Sequence, residues 1–435
     1  MIRDPRKSFE ERLDAALAGA VSDQTELGLM YLEGAGGAPR DPALAASWLR
    51  KAADSGDAKA RYNLSYLLSA GLGVPRDRAE SFRYLEMAAE AGFPPAEQNM
   101  ATVYIVGEFL PRDVDRALMW YRRAADHGDL IAMYQLGVLH LQGAGGVPED
   151  PRQAAEYFRR AARGRLVDAQ YNLALMCYRG HGTVKDKAEA ARLFYEAATR
   201  GSPQAQFNLA TMYESGEGFP EPEPEKAFFW FSEAAKAGTV QAQRAAGRML
   251  LAGLGTPRDP MEAVGWLTKA AEAGDAGAAF LLGMMSESGD GVPRDRTEAF
   301  RRYLEAAAKG EPEGACHAAA LCLEGDPAGP EELEAACASL EAASEAGHPE
   351  AAGMLARALW DGTLDRSDRK RALGLYARAA EPGGADARYA YALRLLESPE
   401  AEGAAEKAVE LLKGLAEEGY PGASEALKGC VIDGS

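Results

Sequence analysis

Residues 58–92 read AKARYNLSYLLSAGLGVPRDRAESFRYLEMAAEAG. Between Ala58 and Ser69, the residues Ala60, Leu64 and Leu67/Leu68 recur at helical spacing and form one apolar stripe, which predicts a first helix, A. Gly71 and Gly73 end it, because glycine accepts the left-handed backbone of a helix terminus and a tight loop. Pro75 blocks any continuation, and Asp77 is placed to cap a second helix, B, which runs to about Glu90 and closes at Gly92. The small pair Ala88-Ala89 lets neighbouring helices approach closely, and Tyr84, four residues earlier, fills the next gap. No alternating strand pattern appears in the chain, so the fold class expected is all-α.

The stretch repeats. Ala-Ala-x-x-Gly occurs at Ala52-Ala53…Gly56, Ala88-Ala89…Gly92 and Ala124-Ala125…Gly128, and its glycine returns at Gly201, Gly238, Gly274, Gly310 and Gly383. Arg165 stands where a glycine is expected, with Gly164 one residue early; Gly347 and Gly419 keep the spacing. A second signature opens at Leu27-Gly28…Tyr31…Gly34…Gly36 and returns at Leu209…Tyr213…Gly216…Gly218 and Leu282-Gly283…Gly289…Gly291. A third, Pro-Arg-Asp, stands at Pro39, Pro75, Pro111, Pro257 and Pro293. Each leads into an alanine-rich stretch carrying a bulky residue such as Trp48, Tyr84, Trp120, Tyr157, Trp230 or Trp266. The period of 36 or 37 residues gives about eleven repeats with partial units at both ends. A lone helix pair cannot bury its own face, but stacked pairs bury a continuous core. The expected organisation is therefore one elongated α/α superhelical solenoid: a cap or partial repeat over 1–20, repeats over 21–420, and a cap over 421–435.

Composition narrows the function. The 435 residues carry a formal charge of −18, which argues against nucleic acid or an anionic membrane surface as partner, since both reward clustered Lys and Arg. Five cysteines are too few for a disulfide scaffold. No apolar signal core follows the N-terminus and no run of about 20 apolar residues appears, so a cytoplasmic protein without membrane insertion is expected. The 47 glycines, about 11% against a usual ~7%, are helix punctuation rather than a linker.

Together the three motifs resemble the Sel-one-like repeat (SLR) family, which is related to tetratricopeptide repeats. The resemblance covers roughly residues 21–420 and weakens after Lys309, where the loop becomes Gly325-Asp326-Pro327-Ala328-Gly329-Pro330, and at Ser398, which replaces the loop glycine of the last full repeat. It implies a non-enzymatic adaptor or scaffold holding partner proteins or peptides, with helix A on the concave face. The alanine-, glycine- and arginine-rich composition suggests a bacterial source. Some cysteine-rich SLR proteins are secreted, carry a disulfide in each repeat and are linked to β-lactam hydrolysis; this chain lacks the paired cysteines. An envelope or secreted factor of the same family is the other alternative.

One polar position in helix A recurs as Asn63, Asn99, Gln135, Asn172 and Asn208. An amide offers donor and acceptor, so a row of them suits an extended peptide backbone; framework bonds between adjacent helices are the other use. One turn on, Tyr66, Thr102, Val138, Leu175 and Thr211 would border the same groove. Between Lys309 and Arg357 ten acids fall without one Lys or Arg, which reads as a solvated surface or a docking face for a basic partner. Arg152, Arg159, Arg160, Arg163 and Arg165 cluster beside Glu149, Asp150 and Glu156, as a helix surface or a basic rim. The loop Pro220-Glu221-Pro222-Glu223-Pro224-Glu225 is stiff and acidic. No catalytic, cofactor or metal motif is expected: the glycine loops follow a helix rather than a strand, His127, His140, His181, His317 and His348 form no ligand pair, and Cys177, Cys316, Cys322 and Cys337 read as packing thiols.

Overall fold

The computed structural model describes residues 7–107, 110–143, 146–324, 329–362, 368–381, 384–398 and 403–432. Gly383 and the loop residues 325–328 lie outside them. The chain forms two compact units, Met1–Ala205 with Glu217–Pro220, and Gln206–Gly216 with Glu221–Ser435. Among the described residues all regular structure is helical.

The first unit holds α1 (Phe9–Leu17), α2 (Val21–Glu33), α3 (Pro42–Asp54), α4 (Ala58–Ala70), α5 (Arg78–Glu90), α6 (Pro94–Val106), α7 (Val114–Asp126), α8 (Leu130–Gln142), α9 (Pro151–Arg163), α10 (Val167–Arg179) and α11 (Lys187–Ala198). The second holds most of α12 (Pro203–Ser215), then α13 (Pro224–Lys236), α14 (Val240–Ala252), α15 (Pro260–Glu272), α16 (Ala276–Ser288), α17 (Arg296–Ala308), α18 (Pro312–Leu323), α19 (Pro330–Glu345), α20 (Pro349–Asp361), α21 (Arg369–Ala380), α22 (Ala385–Leu396), α23 (Ala404–Glu417) and α24 (Ala423–Ile432). From α2–α3 to α22–α23 these are eleven A–B pairs, with α1 and α24 left over at the two ends. The fold class is the α/α repeat solenoid that the period implies.

The loop between A and B is fixed by the residues of the motif. Gly71 takes φ +70° and caps α4, its N–H donating to the Leu67 carbonyl. Gly73, at φ +69°, has a second reason to be glycine: a Cβ there would stand 2.2 Å from the carbonyl carbon and oxygen of Pro42, the first residue of the preceding B helix. Gly182 meets Pro151 and Gly255 meets Pro224 in the same way, at 2.1 Å. The aspartate works twice. The Asp77 carboxylate accepts the Glu80 N–H (2.9 Å), and its own N–H donates to the Leu68 carbonyl (3.0 Å). The arginine before it ties the loop back to the preceding helix. Arg76, Arg258 and Arg294 each donate through Nε to a carbonyl at the end of helix A, at 2.9–3.0 Å. A removed Asp cap typically costs about 1 kcal/mol.

The alanine pairs are the tightest part of the core. Ala52, Ala53, Ala88, Ala89, Ala124 and Ala125 are buried, so consecutive helices meet almost backbone to backbone. The bulky residue fills the gap as expected at Trp48, Tyr84, Trp120 and Trp230. At Tyr157 and Trp266 the ring is only half-buried; the residue after it, Phe158 or Leu267, is buried, just as Leu49, Tyr121 and Phe231 are after the buried Trp48, Trp120 and Trp230. Phe158 and Leu267 each point at a glycine of helix A, Gly137 or Gly247, where a Cβ would come within 2.6–2.7 Å. Both rings lie under cations, Arg160 at 5.8 Å from Tyr157 and Lys269 at 4.5 Å from Trp266, as Trp48 lies under Lys51 at 4.3 Å. Burying one such large side chain contributes roughly 1.5–3 kcal/mol.

Candidate partner-binding faces

The amide row of the first unit is partly used by the fold itself. Asn63 donates to the Lys59 carbonyl of its own helix (2.8 Å). Asn99 donates to the Tyr62 hydroxyl one A helix earlier (3.3 Å), and Asn172 to the Tyr134 hydroxyl (3.4 Å) as well as the Asp168 carbonyl (2.9 Å). The two tyrosine bonds tie A helix to A helix across the repeat. All three amides are half-buried, as is Gln135. One turn on, Tyr66 is 55% exposed. Thr102 is half-buried and bonds the Gln98 carbonyl (3.1 Å) and the Tyr121 hydroxyl (3.2 Å); Val138 and Leu175 are half-buried.

In the second unit Asn208 is half-buried, and Thr211 is exposed and donates to the Phe207 carbonyl (3.0 Å). The amide row then ends: the same helical positions hold Ala245 on α14 and Leu281 on α16, followed one turn later by Arg248 and Met284. Here the structure opens a groove of about 360 Å³ between α14 and α16. Leu251, Leu281 and Met285 form its floor, and Met284, 44% exposed, its rim. Arg248 pairs with Glu214, and Asp290 pairs with Arg258, so charged flanks border an apolar strip. The amide pattern does not extend to these residues. Methionine and leucine on the solvent side of the same register were the available signal.

The remaining sequence features stand apart from these rows. The Lys/Arg-free stretch builds α18, α19 and the start of α20. There a hydrogen bond with Glu313 pushes the Glu311 carboxyl up to about 7 and holds Glu313 below the usual range. His348 accepts the Ala351 N–H as the cap of α20 and lies 3.8 Å from Glu313. Glu223 of the Pro/Glu loop precedes α13 without capping it through its side chain. In the arginine cluster, Arg152 is exposed, Arg159 pairs with Glu156 (2.6 Å), and Arg160 donates to the Ala125 carbonyl (3.2 Å); Arg163 and Arg165 border a cleft. Cys177, Cys316, Cys322 and Cys337 are free thiols. Burial pushes Cys316 up to about 12 and Cys337 up to about 11, which removes their nucleophilicity near neutral pH. Among the described residues no helix is long and apolar enough to cross a membrane.

The comparisons with known proteins follow the same geometry. The Sel1 repeat family matches residues 22–57, 58–93, 94–129, 130–165, 167–202, 203–239, 240–275, 276–311 and 349–383. The helix pairs α18–α19 and α22–α23 fall outside these matches, yet the structure folds both as repeats. Among solved structures, the chain is similar to c5321, a protective antigen present in uropathogenic Escherichia coli strains displaying an SLR fold: 26% identity, TM-score 0.86, covering 99% of this chain and 91% of that one. It is also similar to a Sel1 repeat protein from Oxalobacter formigenes: 30% identity, TM-score 0.52, covering 72% and 89%. No curated protein matches the sequence. A family match over most of the chain, with its helix pairs in register, makes this protein a member of the Sel1 repeat family, a fold that typically serves as a protein-interaction scaffold.

Proposed function

We propose that this protein is a non-catalytic cytoplasmic scaffold of a bacterial signalling or regulatory assembly, seating partner proteins or peptides along the solvent-facing turns of its A helices. The apolar groove between α14 and α16 is the observation that carries the reading. Leu281 and Met284 leave apolar surface open at positions where the first unit has hydrogen-bonded Asn99 and Thr102. An amphipathic strip with charged flanks suits a peptide that offers an apolar side chain and a polar backbone. The bacterial context is supported by the two similar structures, both from bacteria. The test is affinity capture with the full chain and a Leu281→Glu/Met284→Glu variant. The reading expects specific partners to be lost while the melting temperature stays near wild type. Unchanged recovery of every partner by the folded variant would refute the groove.

A second reading, an envelope or secreted factor, draws on the description of the similar E. coli protein as a protective antigen. Fractionation of cells carrying the natural gene separates the two: recovery in the envelope or medium supports export, and recovery in the soluble cytoplasm rejects it.

A further inference from the structure

Between α9 and α11 the first unit opens a cleft of about 740 Å³, floored by Leu173 and Cys177 of α10. Its origin lies in two departures from the repeat. The B-helix position filled elsewhere by Trp48, Tyr84 or Trp120 holds the shorter Leu193. The facing position on the preceding B helix, where Asp54 accepts the Tyr84 hydroxyl (2.9 Å), holds Arg163. The tyrosine–carboxylate contact that closes this space at α3–α5 is thus absent, and a cation takes the carboxylate's place.

The charges at the rim divide into two groups. Arg192 is held by two carboxylates, Glu189 in a two-pronged pair (2.8 and 2.6 Å) and Glu196, which also accepts Gln170, so this trio keeps one surplus negative charge. Arg159 is paired with Glu156, and Asp186 is occupied capping α11. Arg163, Arg165 and Arg200 have no carboxylate within ion-pair distance among the described residues; Arg200 donates to the Arg165 carbonyl (2.8 Å). Three guanidinium groups outside any ion pair among the described residues thus line one cleft in a chain of charge −18, beside carboxylates held by Arg192 and the α11 cap. A planar guanidinium binds a carboxylate through two parallel N–H bonds, so the donors fit that group. The apolar floor and Val184, 83% exposed at the edge, fit a hydrocarbon side chain beside it.

The backbone carries an independent mark. Arg165 has φ +69° and is the one non-glycine residue with positive φ among those described. Left-handed backbone is strained for a residue that carries a Cβ. Glycine holds the equivalent place at Gly56, Gly92, Gly128 and Gly201, so the local turn does not need an arginine. Strain kept at the edge of a cleft is an outlier that points to use.

We propose that this cleft is a second docking site, distinct from the A-helix groove, for an acidic peptide segment of a partner protein: its carboxylates engage Arg163, Arg165 and Arg200, and an adjacent apolar side chain rests on Leu173 and Leu193. The net charge of the chain repels anions at long range, so binding here depends on the local arginines.

The experiment is fluorescence anisotropy with the full chain and a fluorescein-labelled peptide of alternating Glu and Leu, against the same peptide with Gln for Glu. The Glu peptide is expected to bind about tenfold more tightly, and more weakly as salt rises toward physiological strength. Arg163→Gln/Arg165→Gly is expected to weaken it at least about tenfold, and its left-handed glycine keeps the fold from being the cause of the loss. Leu281→Glu/Met284→Glu leaves this binding unchanged, which separates the proposal from the groove. Equal affinity for the Gln peptide, or undiminished affinity of the arginine variant, overturns it. So does complete displacement by millimolar inorganic phosphate, which would make the cleft a general oxyanion site.

Discussion

Residue 164 is glycine because of residue 130. A Cβ at Gly164 would lie 2.3 Å from one Leu130 methyl and 2.6 Å from the other, while the other repeats carry a smaller or cyclic residue such as Ala58, Pro94 or Val167 at the start of helix A. Close packing accounts for Gly164 alone; the left-handed turn one residue later, glycine in Gly56, Gly92, Gly128 and Gly201, is carried here by Arg165. Gly164 itself sits at φ −74°, where alanine is well tolerated, so space alone decides the sign. Gly164→Ala is expected to destabilise by about 1–2 kcal/mol, the usual scale of overpacking. In a Leu130→Ala background the same change is expected to raise the melting temperature. A double-mutant cycle by thermal unfolding checks it, and an equal effect in both backgrounds would sink the idea. Both residues are visible in the sequence, but their contact joins the start of helix A to the end of helix B of one repeat, 34 positions apart, and only packing reveals it.

At the scale of the element, the sequence is read most securely where backbone chemistry does the work. Asp77, Gly71 and the alanine pairs act within one loop or one helix contact, so spacing alone located them. The bulky position was read less completely, because the residue after it, about 100° further round the helix, is buried in every one of these repeats save beside Tyr84. A helix-A glycine receives that second residue: Gly28 takes Leu49, Gly137 takes Phe158 and Gly247 takes Leu267. The start of α18 shows another tertiary effect. Glu311 and Glu313 face each other there, with Asp275 and Arg244 also near Glu311, and His317 and His348 near Glu313. Glu311 is raised from 4.5 to about 7, so the folded protein holds that proton more tightly than the unfolded chain. The stability this contributes is present below about pH 4.5 and is lost as pH rises through about 7. The lowered Glu313 acts in the opposite sense, at acid pH below its ordinary value. Glu311→Gln is expected to flatten the decline of melting temperature across that window. A variant whose profile runs parallel to wild type would remove Glu311 as its cause.

For the whole molecule, stability in a repeat array is close to a sum of each pair's own stability and its contacts with neighbours. In this chain α1 and α24 pack against a single sequence neighbour, whereas α6–α9 and α15–α17 are flanked on both sides. Hydrogen–deuterium exchange of the full chain is therefore expected to be fastest in α1 and α24 and slowest in those interior helices. Protection of α24 equal to that of α16 would contradict an end-fraying array. The divergent pairs belong to the same argument. The α18–α19 and α22–α23 pairs have lost the loop signature but keep their buried alanines and leucines, among them Ala315, Leu340, Ala392 and Leu412, and burial is what a neighbouring repeat requires.

The sequence by itself determined the class of fold, the period, the caps and the number of helix pairs, because each follows from backbone chemistry repeated every 36 or 37 residues. It also marked the A-helix register through Asn208 and Thr211, on which Tyr66 and Thr211 are exposed. Only the tertiary structure decided which residues of that register are used up inside the fold and which stay open. The donors of Asn99 and Asn172 turned to a tyrosine hydroxyl of the preceding A helix, while Leu281 stays half-buried and Met284 44% exposed along the groove. It likewise decided that Arg163, Arg165 and Arg200 converge on one space, since a cleft forms between neighbouring helices where a ring is missing, and no single segment of the chain contains that space.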